Sequence, residues 1–155
     1  MAGIKKPSKQ VIGWREWVSL PDLPISRIKA KVDTGARSSS LHAFDMEIHR
    51  DSGIDYITFK VYPEQRSRKN VALCRAEIIE FRKVKSSNGR SENRPVIVSN
   101  LEMLGKIWPI ELTLTNRVEM GFRMLLGRES FRNRFLVDAG HSYYGQKLKT
   151  SKEET

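Results

Sequence analysis

Helical periodicity is almost absent from this chain of 155 residues, and that absence narrows its fold more than any other feature. Apolar residues alternate with polar ones, or run together, in short extended stretches over residues 11–20, 25–32, 38–43, 44–49, 54–62, 71–85, 90–99, 106–115 and 135–138. Turn chemistry separates them. Pro21-Asp22-Leu23-Pro24 cannot donate ladder hydrogen bonds at its prolines, Arg50-Asp51-Ser52-Gly53 reads as a turn, and residues 63–70 form a polar loop. Asn88-Gly89, between two extended runs, is the strongest short hairpin signal. Only residues 127–134 look helical, with Phe131 four residues after Gly127. The pattern predicts an all-β barrel with one short helix near the C-terminus and no internal repeat.

A chain of this length can bury about two thirds of its unfolded surface as one domain, so neither a disulfide nor a metal is needed to hold it. The single cysteine, Cys74, lies in an apolar strand and reads as packing. We expect a basic flexible segment over residues 1–10, one domain over 11–144 and a polar disordered tail over 145–155. Residues 1–10 lack the apolar core of a secretory signal, and no run approaches the ~18 apolar residues of a membrane span. A cytoplasmic location is therefore expected. The formal charge of +10 favours acidic partners: nucleic acid or ribosome, anionic lipid, or an acidic peptide. Its basic residues are scattered through Arg66-Ser67-Arg68-Lys69, Arg82-Lys83-Val84-Lys85 and Arg132-Asn133-Arg134. No basic amphipathic helix is evident, which places membranes last among the three.

Asp33-Thr34-Gly35-Ala36 follows the strand at 25–32 directly, setting a carboxylate on a tight turn. Gly35 admits a positive φ or a close-packed backbone and frees amides to face that carboxylate, while Thr34 offers a hydroxyl. On its own the motif reads first as a structural Asx-turn. Neither Val137-Asp138-Ala139-Gly140 nor Asp51-Ser52-Gly53 duplicates the turn.

A second segment, Phe122-Arg123-Met124-Leu125-Leu126-Gly127-Arg128-Glu129-Ser130-Phe131, lies nearly a hundred residues downstream. Together the two segments resemble the half-signatures of retropepsin-like aspartic proteases. With Gly13-Trp14-Arg15-Glu16-Trp17-Val18 and Trp108-Pro109-Ile110-Glu111-Leu112, the chain resembles, over roughly residues 11–144, a bacterial family described as ATP-dependent zinc proteases and regarded by fold as retropepsin-like. The resemblance implies a closed retropepsin-like barrel with a flap hairpin and a homodimer when active. It casts Asp33 as general acid and base, Thr34 as a bond across the dyad, and Gly35 as an amide donor to the carboxylate. Ala36, Arg37 and the hairpin tip Ser86, Ser87, Asn88 and Gly89 would border substrate, with Gly127 and Arg128 as structural support. Viral enzymes pair the arginine of the second segment with an acid two residues after the glycine of the first. Arg37 stands there instead, so either Arg128 finds another acid, Glu111 or Glu129, or the region is organised differently from the viral dimer; Arg37 is either a grip for a substrate carboxylate or a surface residue.

No cofactor is expected. The zinc of the family description has no H-E-x-x-H or C-x-x-C to rest on, His42, His49 and His141 are scattered, and no phosphate-binding P-loop motif supports ATP use. Members of this family accompany a ligase that adds glutamates to a ribosomal protein, which implies acidic or glutamate-tailed substrates. The alternatives are a non-catalytic cationic module that binds ribosomal protein, RNA or the modifying ligase, and, third, a zinc peptidase.

Overall fold

The computed structural model describes residues 9–64, 69–85, 88–116 and 121–145. In chain order the elements are β1 (Gln10–Gly13), β2 (Arg15–Leu20), β3 (Ile25–Asp33), β4 (Ser39–His42), β5 (Phe44–Asp51), β6 (Ile54–Val61), β7 (Ala72–Glu77), β8 (Glu80–Lys85), β9 (Ser91–Met103), β10 (Lys106–Thr115), β11 (Met124–Gly127), α1 (Arg128–Phe131) and β12 (Phe135–Asp138). Six strands run β10-β4-β11-β3-β2-β9, and β9 pairs back to β10, closing a barrel; β8 hangs from the outer edge of β9. No described helix is long and apolar enough to cross a membrane.

Period-two alternation puts Glu16, Val18 and Leu20 of β2, Ile28, Ala30 and Val32 of β3, and Trp108, Ile110, Leu112 and Leu114 of β10 into the interior. A three-stranded sheet, β5-β6-β7, packs Ile57, Phe59, Val61 and Cys74 against the barrel, so both sheets share one apolar core. At about 25 cal/mol per Å² of apolar area removed from water, each fully buried Leu, Ile or Phe contributes about 1.5–3 kcal/mol. Ile28, Leu41, Phe59, Ile97, Leu112 and Leu126 are each at most 2 % exposed, which makes this core the main source of stability.

Two long strands expected from sequence are broken. The stretch at 11–20 divides at Trp14, because β1 pairs in parallel with β12 while β2 belongs to the barrel. Gly13 makes the break possible: a Cβ there would lie 2.7 Å from Ser142 Cα and 2.9 Å from His141 C. The stretch at 71–85 divides at Ile78-Ile79, where the amide of Ile78 donates to Asp55 and that of Ile79 to Val96, so the chain passes from the smaller sheet to the barrel. The helix is also shorter than expected, spanning Arg128–Phe131 alone. The hairpin at Asn88-Gly89 is present, with Lys85 opposite Ser91 and Gly89 at φ 83°. Ser86 and Ser87 lie outside the described residues, as does most of the segment expected to be a disordered tail.

Candidate active site

β11 lies between β3 and β4, parallel to the first and antiparallel to the second, with Gly127 opposite Asp33. This threading brings the two motifs together. Asp33 ends β3 half-buried, and its Oδ1 accepts the Gly35 amide at 2.9 Å. Gly35 does not use a positive φ. Its value lies in space, since a Cβ would press on Asp33 Oδ1 at 3.3 Å. Thr34 is exposed.

The turn is braced from beneath. Gly127 donates its amide to Ser39 Oγ at 3.0 Å, Ser39 Oγ bonds the Ser130 hydroxyl, and Trp108 Nε1 donates to the Ser130 carbonyl at 2.8 Å. The amides of Arg128 and Glu129 donate to the carbonyls of Ala36 and Arg37 at 2.8 and 3.1 Å. Arg128 does not pair with either expected acid. Its Nη1 reaches the carbonyls of Thr34 and Gly35 at 3.5 and 3.4 Å, while Glu111 bonds Arg82 and Glu129 bonds Arg132. With Arg37 in place of an acid, the free acceptors above Arg128 are main-chain carbonyls, and the guanidinium takes those.

Asp33, Gly35, Ala36 and Arg37 border a cleft of about 1120 Å³. Its lining also includes Arg82, Lys83, Val84 and Lys85 of β8, so the limb of the Asn88-Gly89 hairpin borders the same space as Asp33. Asn88 and Gly89 themselves are not among its described lining. Seven cationic side chains line it, Arg37, Arg82, Lys83, Lys85, Arg94, Arg123 and Arg134, against three acids, Asp33, Glu111 and Glu129. Sequence reasoning found the basic residues but treated them as scattered. Barrel closure gathers them, and nothing in the linear order of residues 82–85, 94, 123 and 134 announces it. Arg82 is held between Glu80 and Glu111, whose bonds raise its already high pKa. Arg37 is exposed and makes no side-chain ion pair among the described residues.

His42 follows the Asp33 turn closely in sequence and lines the same cleft. Its Nδ1 faces Arg123 Nη1 at 3.3 Å, and its ring also bonds the Asn116 backbone. Burial, and then the Arg123 charge, hold its pKa below the usual histidine range against that backbone bond. An arginine can only donate, so Nδ1 accepts and the proton sits on Nε2. No group of three or more His, Cys, Asp or Glu side chains among the described residues is placed to hold a metal ion.

Asp138 offers a useful contrast. Like Asp33 it ends a strand and accepts an amide two residues on, from Gly140 at 3.0 Å. Its other oxygen takes Tyr144 Oη at 2.5 Å and His141 Nδ1 at 2.8 Å. Those bonds, the tyrosine's first, lower its pKa. Asp138 is a satisfied structural turn, whereas Asp33 keeps lone pairs open to the cleft.

Residues 11–147 match the RimB-like family, described as retropepsin-like aspartic endopeptidase RimB. Two curated relatives carry the name "Probable alpha-L-glutamate ligase". The one from Shewanella pealeana is 46 % identical over 88 % of this chain and 30 % of its own length, and the one from Desulfotalea psychrophila is 45 % identical over 84 % and 28 %. The chain thus spans less than a third of these relatives. A Legionella pneumophila crystal structure, titled as a protein of unknown function, superposes with a TM-score of 0.73 at 29 % identity, covering 89 % of this chain and 99 % of that one.

Proposed function

Because the chain belongs to the RimB-like family of retropepsin-like aspartic endopeptidases, we propose that it is a peptidase in which Asp33 from each of two protomers activates water against acidic, glutamate-rich chains. The observation that carries this reading is the Asp33 turn, braced through Gly127 and Arg128 and opening onto a cleft in which cations outnumber acids by seven to three.

Two Asp33 carboxyls facing each other across a two-fold axis share one proton, since like charges that close do not both ionise. The ionised member takes a proton from water as its oxygen adds to the peptide carbon; the protonated member donates to the carbonyl oxygen. Collapse of the tetrahedral intermediate returns a proton to the leaving nitrogen, breaks the C–N bond and regenerates the dyad. The Gly35 amide fixes the orientation of Asp33, and the β8–β9 hairpin is suited to close over substrate and exclude water.

Support for an acidic substrate comes from charge complementarity and from the relatives named as glutamate ligases, in which a segment like this one shares a chain with a glutamate-adding activity. Zinc and ATP are given no step. The test is cleavage of a peptide ending in several glutamates by wild type and by Asp33→Asn, read by mass spectrometry. Cleavage by wild type alone is expected, and equal cleavage by both would overturn the aspartyl mechanism.

A further inference from the structure

We propose that Arg94 and Arg123 form a carboxylate-binding subsite in the wall of the cleft, taking an acidic side chain of the bound peptide. The inference rests on the peptidase reading only for the identity of the peptide as substrate. Arg94, on β9, is 7 % exposed; Arg123 precedes β11 and is half-buried; both line the same cleft as Asp33. A continuous set of contacts joins them. Arg94 Nη2 lies 3.4 Å from Glu92 Oε2, the Thr115 hydroxyl donates to Glu92 Oε1 at 3.3 Å, Thr115 is register partner to His42 across β10 and β4, and His42 Nδ1 accepts from Arg123.

This wall is short of negative charge. Among the described residues the one carboxylate in the contacts that link the two guanidiniums is Glu92, which is also engaged with Thr115. Arg123 has no acidic partner among the described residues: its recorded neighbours are neutral His42 and the Tyr62 ring, with Arg123 Cζ 6.0 Å from the ring centroid. In each arginine the Nε–H is shielded from water and has no acceptor among the described residues. A buried cation left short of acceptors is costly, and carboxylates of a bound acidic peptide that bond the guanidinium edges facing the cleft relieve that cost. Arginine suits the task better than lysine because its planar fork fixes the carboxylate's orientation. Neutral His42 positions Arg123 without cancelling its charge. The subsite therefore selects glutamate or aspartate over glutamine, a discrimination between acids and isosteric amides that generalised positive potential does not give.

The test uses the full chain carrying Asp33→Asn, so that binding is read without cleavage, and titrates acetylated tetraglutamate and tetraglutamine by calorimetry. Arg123→Gln, Arg94→Gln and Arg94→Lys are compared with Arg50→Gln, an exposed charge-matched control on β5. Either glutamine variant should weaken tetraglutamate binding tenfold or more and leave tetraglutamine unchanged, with Arg50→Gln within twofold of the parent. Arg94→Lys, which keeps charge and volume if Arg94→Gln does not fold, should lose severalfold. Unchanged tetraglutamate affinity in Arg123→Gln and Arg94→Lys overturns the subsite, as does equal loss for both peptides. Tight tetraglutamate binding that Arg123→Gln weakens, with no cleavage by wild type, leaves the subsite standing and removes the peptidase.

Discussion

Gly127→Ala tests whether the support beneath Asp33 is as close-packed as the geometry states. Gly127 has φ −82° and ψ 161°, a conformation any residue adopts, so backbone preference alone favours alanine by about 0.4–1 kcal/mol. The surroundings oppose it. A Cβ would stand 2.5 Å from Ser38 C and 2.8 Å from Arg37 O, and closer still to the Ser38 carbonyl oxygen. These are main-chain atoms, so no rotamer change relieves the overlap and the loop that follows Asp33 must move. Overpacking costs about 1–3 kcal/mol. Moving the loop also strains the Gly127 amide bond to Ser39 and the Arg128 amide bond to Ala36, each worth about 1 kcal/mol. The net expectation is a loss of about 2–4 kcal/mol, which for a domain of this size lowers Tm by roughly 5–15 °C. Thermal melts followed by circular dichroism, with cleavage measured well below the melt, read both stability and site geometry. A variant that melts at or above wild type would refute the close approach and, with it, the account of how β11 supports the turn.

Glu16 is fully buried and accepts the amides of Gly13, Tyr144 and Gly145 at 2.7, 2.9 and 3.2 Å; Glu16→Gln, with one acceptor oxygen in place of two, should cost about 2–3 kcal/mol in denaturant melts, and an unchanged midpoint would contradict its role as the anchor of the segment after β12. Burial pushes the Cys74 thiol up to about 12, so a disulfide reagent at pH 8 should label it only as fast as the protein unfolds, and labelling of the native protein at the rate of a free thiol would refute this. His42 has its folded pKa depressed, by burial first, below the ordinary histidine value of 6.5, so the unfolded chain binds the proton more readily. Its contribution is complete above pH 6.5 and is lost as pH falls toward the folded pKa. His42→Gln should flatten the fall in Tm below that pH, and an identical slope in both proteins would dismiss the linkage.

The barrel was legible because alternation at 106–115 and 25–32 reports burial on one face directly, and because Asn88-Gly89 can do little but turn. The breaks at Trp14 and Ile78-Ile79 were not, since a strand that changes sheets keeps its extended character. Ile78 and Ile79, 9 % and 47 % exposed, keep the alternation straight through the break, so no local sign marks it. Asp33 could be found because its chemistry is written in neighbouring residues. The cationic cleft could not, because Arg94 and Arg123 come to line one cleft only through the pairing of β4 with β10 and of β11 with β4. Arg128 was misjudged for a related reason: an acid was sought where backbone carbonyls suffice.

The insertion of β11 between β3 and β4 also dictates when the Asp33 turn acquires its support. The contacts from Arg128 to the turn span 93 and 94 residues of chain, and loop closure over such separations is slow and late compared with hairpin formation. As the chain emerges from the ribosome, β3 and the Asp33 turn are made long before the strand that braces them. An unbraced turn holds its carboxylate loosely, so a nascent chain lacking β11 would carry Asp33 without the support that fixes it. The finished turn is thereby deferred until most of the domain has been synthesised and closed.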